Sequence, residues 1–324
     1  WPLDGLYDTE DRVKYIFLAN MIASIVVLIL LIPSYFNLNW RFDSALMRKM
    51  IWYAAPLTIA QLAGAINMNI GFHFIKNFAS ADIDFNKTLE GPYSAALKIA
   101  IIMTLFTQAF NYAAEPFFFR NDKREDSKEV YAQIAQAFSI VGVLVFLGVL
   151  LYLDVLKYLI SADKWSGFGI IPIFLLAYLF LGLFYNFSIW YKLTDQTKIG
   201  GYIAIGGSLI TLLLNALLVP AIGIYGPAWA ALFCFVFMAG AAYWTGQKNY
   251  KIDYPIREIG LYIIIGLSGY FLSEWGKGIW EGYLFPTLFM NTLILLGCLI
   301  GFYFVDSNFA DSIFRNIPGR KKSK

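Results

Sequence analysis

The sequence predicts an all-α membrane protein, a polytopic bundle of transmembrane helices. Composition is the first sign: 59% of the 324 residues are hydrophobic and 15% are charged. Soluble domains hold roughly 45–50% apolar and about 25% charged residues. The second sign is that the apolar residues gather in runs of about 20, the length a helix needs to cross the hydrocarbon core. The third is that lysine and arginine favour alternate connections between those runs, as the positive-inside rule requires. Backbone polar groups in lipid must be hydrogen-bonded within their own segment, so the runs are helices. The period-two alternation of a membrane barrel is absent. An ordinary cytosolic enzyme, a disordered chain and a nucleic-acid-binding domain are excluded.

Nine runs qualify as spans: 14–36, 51–74, 95–118, 131–153, 168–190, 200–220, 223–246, 258–274 and 284–305. The connections are short, and no soluble domain fits between them. The longest loop on the outer side is expected at about residues 75–94. One set of alternate connections holds seventeen basic residues: Arg41, Arg48, Lys49, Arg120, Lys123, Arg124, Lys128, Lys192, Lys198, Lys248, Lys251, Arg257, Arg315, Arg320, Lys321, Lys322 and Lys324. The other set holds seven: Arg12, Lys14, Lys76, Lys87, Lys157, Lys164 and Lys277. The richer set faces the cytoplasm, which places the C-terminal tail inside and Trp1 outside. Gly319–Lys324 is then a basic anchor beside anionic lipid. Trp52, Trp190, Tyr191, Trp244 and Trp275 near span ends fit an aromatic belt. The chain begins at Trp1 with no basic n-region, so it is expected to start inside a longer protein.

Polar residues inside the spans come in stripes. At about 100° per residue, Thr58, Gln61, Ala65, Asn69, His73 and Lys76 of the second run fall within roughly 120° of arc. Asn67 lies opposite. In the third run Ser94, Lys98, Thr104, Gln108, Asn111, Tyr112 and Glu115 span roughly 140° by the same helical spacing. Such stripes have two readings: contacts between helices glued by small and polar residues, or a hydrated groove. For the second and third runs the groove is preferred, because each stripe carries a cation and no carboxylate lies on the outer half of either span. Asp82, Asp84 and Glu90 in the outer loop are the competing partners for Lys76 and Lys98. In the sixth run Gly201, Ser208, Thr211 and Asn215 read as close helix packing.

Glu115-Pro116 also has two readings. Proline tends to end or kink a helix, which would leave Glu115 at headgroup level. Alternatively Glu115 is an inner gate paired with a cytoplasmic base such as Arg120. The segment Pro220–Pro227 joins the sixth and seventh runs as a tight hairpin, with proline and glycine as turn residues.

Reactive centres are hard to assemble here. Cys234 and Cys298 sit in apolar runs, so neither a disulfide framework nor a cysteine metal site is expected. His73 is the sole histidine; at a helix end it reads as an interfacial hydrogen-bonding side chain, and no metal or cofactor is expected. There is no Walker loop, no pair of carboxylates at mid-membrane and no arginine ladder. A bundle striped with polar residues and lacking a reactive centre moves or holds something.

Four stretches resemble the oligosaccharide flippases of the multidrug/oligosaccharidyl-lipid/polysaccharide exporter superfamily, the O-antigen translocase type. Met50-Ile-Trp-Tyr-Ala-Ala-Pro-Leu57 is similar to the start of the first helix of that family's C-terminal lobe. Gly91-Pro-Tyr-Ser-Ala-Ala-Leu-Lys-Ile-Ala100 is similar to the opening of the next helix. Gln108-Ala-Phe-Asn-Tyr-Ala-Ala-Glu-Pro-Phe-Phe-Phe119 is similar to that helix's end. Leu214-Asn-Ala-Leu-Leu-Val-Pro-Ala-Ile-Gly-Ile-Tyr-Gly-Pro-Ala-Trp-Ala-Ala231 is similar to the family's hairpin, with Pro227 where alanine is usual. The resemblance covers residues 14–306.

The resemblance implies two six-helix lobes related by pseudo-symmetry. Residues 1–50 would hold the last helix of an N-terminal lobe and a cytoplasmic linker, 51–246 the second lobe, and 247–324 two extra spans and the basic tail. It implies a protein of the inner (cytoplasmic) membrane that flips a polyprenyl-diphosphate-linked oligosaccharide during cell-surface polysaccharide or lipopolysaccharide biosynthesis. Its partners would be that lipid-linked oligosaccharide, membrane lipids, and a polysaccharide polymerase and glycosyltransferases, but no nucleic acid. Lys98 and Lys76 would hold the diphosphate, with Gln61, Asn69 and Gln108 facing the sugar, His73 and Asn111 completing the substrate site, and Glu115 with Arg120 at the gate. A cation-coupled small-molecule antiporter shares the architecture but would need acidic groups deep in a lobe. A polytopic polymerase or ligase would need a larger outer loop with catalytic Arg or His.

Overall fold

The computed structural model describes residues 12–35, 42–121, 127–278 and 283–306. Every regular element among them is helical, so the fold class is all-α. Among the described residues eight helices are long and apolar enough to cross a bilayer, the make-up of a multi-pass membrane protein. The chain divides into two compact units, Trp1–Ile51 and Trp52–Lys324. The basic tail at 319–324 lies outside the described residues.

The first unit contains α1 (Arg12–Tyr35) and the start of α2 (Ser44–Phe78). α1 is apolar around its circumference, and Phe17, Ile22 and Leu30 are all exposed. Asp43 caps α2: its Oδ1 accepts from the N–H groups of Ala45 and Leu46 at 2.9 and 3.1 Å. This satisfies two donors that a helix start leaves open.

The second unit carries the rest of α2 and all that follows. In order these are α3 (Ile83–Asn121), α4 (Ser127–Leu151), the short α5 (Leu153–Leu156), two 3-10 stretches (Lys157–Leu159 and Ala162–Ile170), α6 (Ile171–Phe187), α7 (Ile189–Leu193), α8 (Thr197–Ile222), α9 (Tyr225–Asn249), α10 (Ile256–Lys277) and α11 (Leu284–Val305). α6 is the centre of the bundle. It packs on α3, α4 and α9, and its buried residues run round the whole helix, from Phe174 and Leu175 to Leu183 and Phe184. A helix apolar on every side belongs in such an interior. Gly182 lets the Phe138 ring of α4 lie directly against it.

α8 and α9 are arranged inside out relative to a soluble protein. Gly200, Gly201, Ala204, Gly207, Thr211 and Asn215 are buried, while Tyr202, Leu209, Leu213 and Leu217 point outward. A Cβ on Gly207 would lie 2.7 Å from Met238 Sδ of α9. The small residues therefore bring the two backbones together, as in membrane helix pairs. The hairpin between them is as tight as its sequence predicts. Gly223 has φ +57°, where glycine alone is unstrained, and a Cβ on Gly226 would meet Val219 N at 2.7 Å.

Two polar clusters fix α10 and α11 to α4. Asn291 is fully buried. Its Nδ2 donates to the Leu151 carbonyl at 2.6 Å, and its Oδ1 accepts from Ser273 Oγ at 2.7 Å. At the opposite end, Gln136 Nε2 donates to Tyr262 Oη at 3.1 Å and to Asp306 Oδ2 at 2.9 Å.

Three expectations change. Most of the loop foreseen at 75–94 is helix: α2 runs to Phe78 and α3 starts at Ile83. Asp82 nucleates that start by accepting from the N–H groups of Asp84 and Phe85 at 2.9 and 3.2 Å, so a polar sequence becomes a capped helical extension. Pro116 does not stop α3, which continues to Asn121 with Pro92 and Pro116 both inside it; membrane helices tolerate such prolines. The fifth run is not one helix. It opens as 3-10 turns and breaks at Ser188, where Tyr254 Oη donates to the Asn186 carbonyl at 3.3 Å.

An ionic clip joins the end of α10 to α5. Asp154 Oδ1 accepts from Lys157 Nζ at 2.9 Å, and Asp154 Oδ2 lies 3.6 Å from Lys277 Nζ, which also pairs with Glu274 at 2.6 Å. Burial alone would raise the Asp154 carboxyl, but the Lys157 hydrogen bond and the Lys277 charge outweigh it and hold it below the usual carboxylate range. A depressed carboxylate contributes stability above its unfolded pKa, and that contribution is lost as pH falls through the folded value. Thermal unfolding in detergent is therefore expected to show an advantage of wild type over Asp154→Asn at pH 7, on the order of 1 kcal/mol, that vanishes in acid. An advantage independent of pH would remove the clip from the account.

Candidate functional site

α2 meets the bundle near its C-terminal end. Ile75 is fully buried, and a Cβ on Gly71 would fall 2.6 Å from Pro227 Cβ and 2.7 Å from Tyr93 Oη. Near its other end, the Tyr53 carbonyl accepts from Thr197 Oγ1 at 3.4 Å. Between these points the polar stripe stays open. Thr58, Asn69, His73 and Lys76 are all exposed. Thr58 and Asn69 satisfy themselves on their own helix, Asn69 Nδ2 donating to the Ala65 carbonyl at 2.8 Å. The Gln61 side chain lies outside the described residues.

The α3 stripe divides. Thr104 is buried in the bundle, whereas Lys98, Gln108 and Tyr112 are exposed, with Ile101 and Leu105 between them on the same open face. Asn111 is half-buried. Among the described residues no hydrogen bond joins the stripe of α2 to that of α3, and Lys98, Asn69 and Gln108 are each exposed.

Lys98 opens into a cavity of about 210 Å³ at the α2–α3 end of the bundle. It is lined by Gly91, Ser94, Ala95 and Lys98 of α3 and by Leu159, Ile160, Ser161 and Lys164 of the 3-10 region. Neither Lys98 nor Lys164 is in an ion pair among the described residues, and Asp84, one of the carboxylates expected to compete, instead pairs with Lys87 at 2.8 Å. The wall facing α3 is braced. Trp165 Nε1 donates to the carbonyls of Lys157 and Ile160, both at 3.1 Å, and its ring lies edge-on to Tyr158. Gly167 has no side chain where it meets the Pro92 carbonyl, so the 3-10 stretch sits directly on α3. The Lys164 stem passes beside Gly91, within 3.7 Å of where a Cβ would stand.

At the α3–α4 end, Glu115 Oε1 accepts from Lys192 Nζ of α7 at 2.7 Å. The proposed gate carboxylate thus has a basic partner, and it is Lys192; the Arg120 side chain lies outside the described residues. Sequence reasoning counted Lys164 and Lys192 among the basic residues that set orientation and gave neither a place in the site. The only signal for Lys192 was that two opposite charges ended neighbouring spans. For Lys164 and Ser161 there was none, because irregular 3-10 turns carry no helical spacing.

No protein-family model matches the chain, and neither a curated protein nor a solved structure matches it.

Proposed function

We propose that this chain is part of a flippase of the inner (cytoplasmic) membrane that carries a polyprenyl-diphosphate-linked oligosaccharide between leaflets during surface polysaccharide biosynthesis. In this reading it has nine spans, α2 among them, and the spans from α2 to α9 form the second of two six-helix lobes. The α2–α3 end faces outward and the C-terminus lies in the cytoplasm. The observation that carries the reading is Lys98: a cation without an ion partner among the described residues, on the open face of an apolar helix, beside a polar cavity. A charge at membrane depth is costly and marks protein or water rather than lipid. Lysine serves phosphate as a point charge.

The open amides and hydroxyls on α2 and α3 suit a sugar. A headgroup rich in hydroxyls would lose its hydrogen bonds in hydrocarbon at several kcal/mol for each unpaired group. Asn69, Gln108 and Asn111 supply replacements while the polyprenyl tail stays in lipid. Rocking of two lobes about the site gives alternating access, with the Lys192–Glu115 pair closing the cytoplasmic side and opening when cargo enters.

The test is reconstitution of the full protein into liposomes with a fluorescent polyprenyl-diphosphate oligosaccharide on one leaflet. Protein-dependent appearance of the headgroup on the other leaflet without ATP is expected. If it stays put while a small cationic dye is exchanged for protons or sodium, the chain is an antiporter instead.

A further inference from the structure

We infer that the cavity between α3 and the 3-10 turns is a built binding pocket for a phosphate or diphosphate group, with Lys98, Lys164, Ser94 and Ser161 as its donors. These four residues line one cavity of about 210 Å³ from two separate elements. Lys98 lies two helical turns along α3 from Gly91, while Lys164 and Ser161 come from the opposite wall. Among the described residues neither lysine has an ion partner, and no carboxylate lines the cavity; Glu90 and Asp163 are close in sequence but pair with neither lysine. Ser161 stands at the N-cap of the second 3-10 stretch, yet its hydroxyl makes no capping bond. A serine that could cap but does not leaves a donor for a ligand.

The pocket is also rigid, which a binding site needs. Trp165 fixes the carbonyls of Lys157 and Ile160, and Ser161 O accepts from the Lys164 N–H at 3.1 Å. Gly91 and Gly167 bring the two walls to their observed separation. Two point charges and two hydroxyls, spread around a space rather than aligned as a fork, match tetrahedral phosphate oxygens better than a planar carboxylate. A planar carboxylate is usually read by arginine.

The inference rests on the translocation reading for the source of the ligand, the diphosphate of the cargo. The pocket itself rests on its own geometry. The chemistry is shared by a second source, the phosphate of an anionic lipid headgroup.

The probe is inorganic pyrophosphate, titrated calorimetrically into the purified protein in neutral detergent. Saturable binding of one equivalent is expected. Lys98→Gln and Lys164→Gln should each weaken it about tenfold, the effect of losing one charge-assisted hydrogen bond, and Ser161→Ala should weaken it less. The arginine variants at both lysines should largely restore it, which separates lost charge from lost folding. Lys87→Gln, which removes a charge at the same end of the bundle, should change nothing. Repeating the titration in nanodiscs identifies the source. Competition by phosphatidylglycerol but not phosphatidylcholine assigns the pocket to lipid headgroups, and its absence assigns it to the cargo diphosphate. No saturable binding, or equal loss in Lys87→Gln, overturns the pocket. Transport lost with pyrophosphate binding retained would count against the flippase reading alone, and the reverse against the pocket alone.

Discussion

Lys98→Ala is expected to reduce export of the lipid-linked oligosaccharide by about tenfold to a hundredfold, the cost of one charge-assisted contact to phosphate. Lys98→Arg is expected to keep most of it. The side chain is exposed and makes no ion pair among the described residues, so truncation leaves no buried group unsatisfied there and the protein should insert at its normal level. The measurement is surface polysaccharide per unit of membrane-inserted protein in cells depending on this chain. The contrast between alanine and arginine carries the result, because both change packing on an open face while only one removes the charge. Undiminished export by the alanine variant would take Lys98 out of the transport path.

Asn291→Leu is expected to loosen α11 from the bundle by about 2 kcal/mol, the sum of two modest buried hydrogen bonds. The substitution keeps the branching and the heavy-atom count while replacing the amide by two methyl groups, so both hydrogen bonds are lost without opening a cavity. Leu151 O and Ser273 Oγ are both left facing an apolar side chain where the amide stood. Ser273→Ala removes one of the two bonds and should cost about half as much by the same reckoning. Unfolding in mixed micelles at increasing SDS reads the difference. An unchanged midpoint for Asn291→Leu would mean that the Asn291 cluster contributes nothing to holding α10 and α11.

Much of the fold is legible in the sequence because lipid leaves a chain few choices. The apolar runs become helices, and the glycines and prolines around Gly223 become a hairpin of the expected tightness. What escapes is local chemistry at the ends. Residues 83–94 read as a loop because Asp, Asn, Lys, Gly and Pro fill them, yet the Asp82 cap and a close neighbour in the 3-10 stretch make them helix. The candidate site shows the same limit. Helical arithmetic put Thr104 and Lys98 in one stripe, but that angle describes a helix in isolation. Packing in the bundle takes Thr104 inward and leaves Lys98 open. Glu115 could be seen to need a base, but only the break at Ser188 and the short α7 show that Lys192 supplies it. The pocket of Ser161 and Lys164 depends on contacts between segments that no spacing rule links.

The all-round burial of α6 bears on how the protein is made. Chains are synthesised from the N-terminus, so α3 and α4 leave the ribosome before α6, whereas α9, which covers another of its sides, emerges last of the four. During that interval one flank of α6 faces acyl chains instead of protein. A helix greasy on every flank is at ease in either setting, since lipid tails are as apolar as leucine. The apolar side chains of that flank can therefore rest against lipid until their final cover arrives.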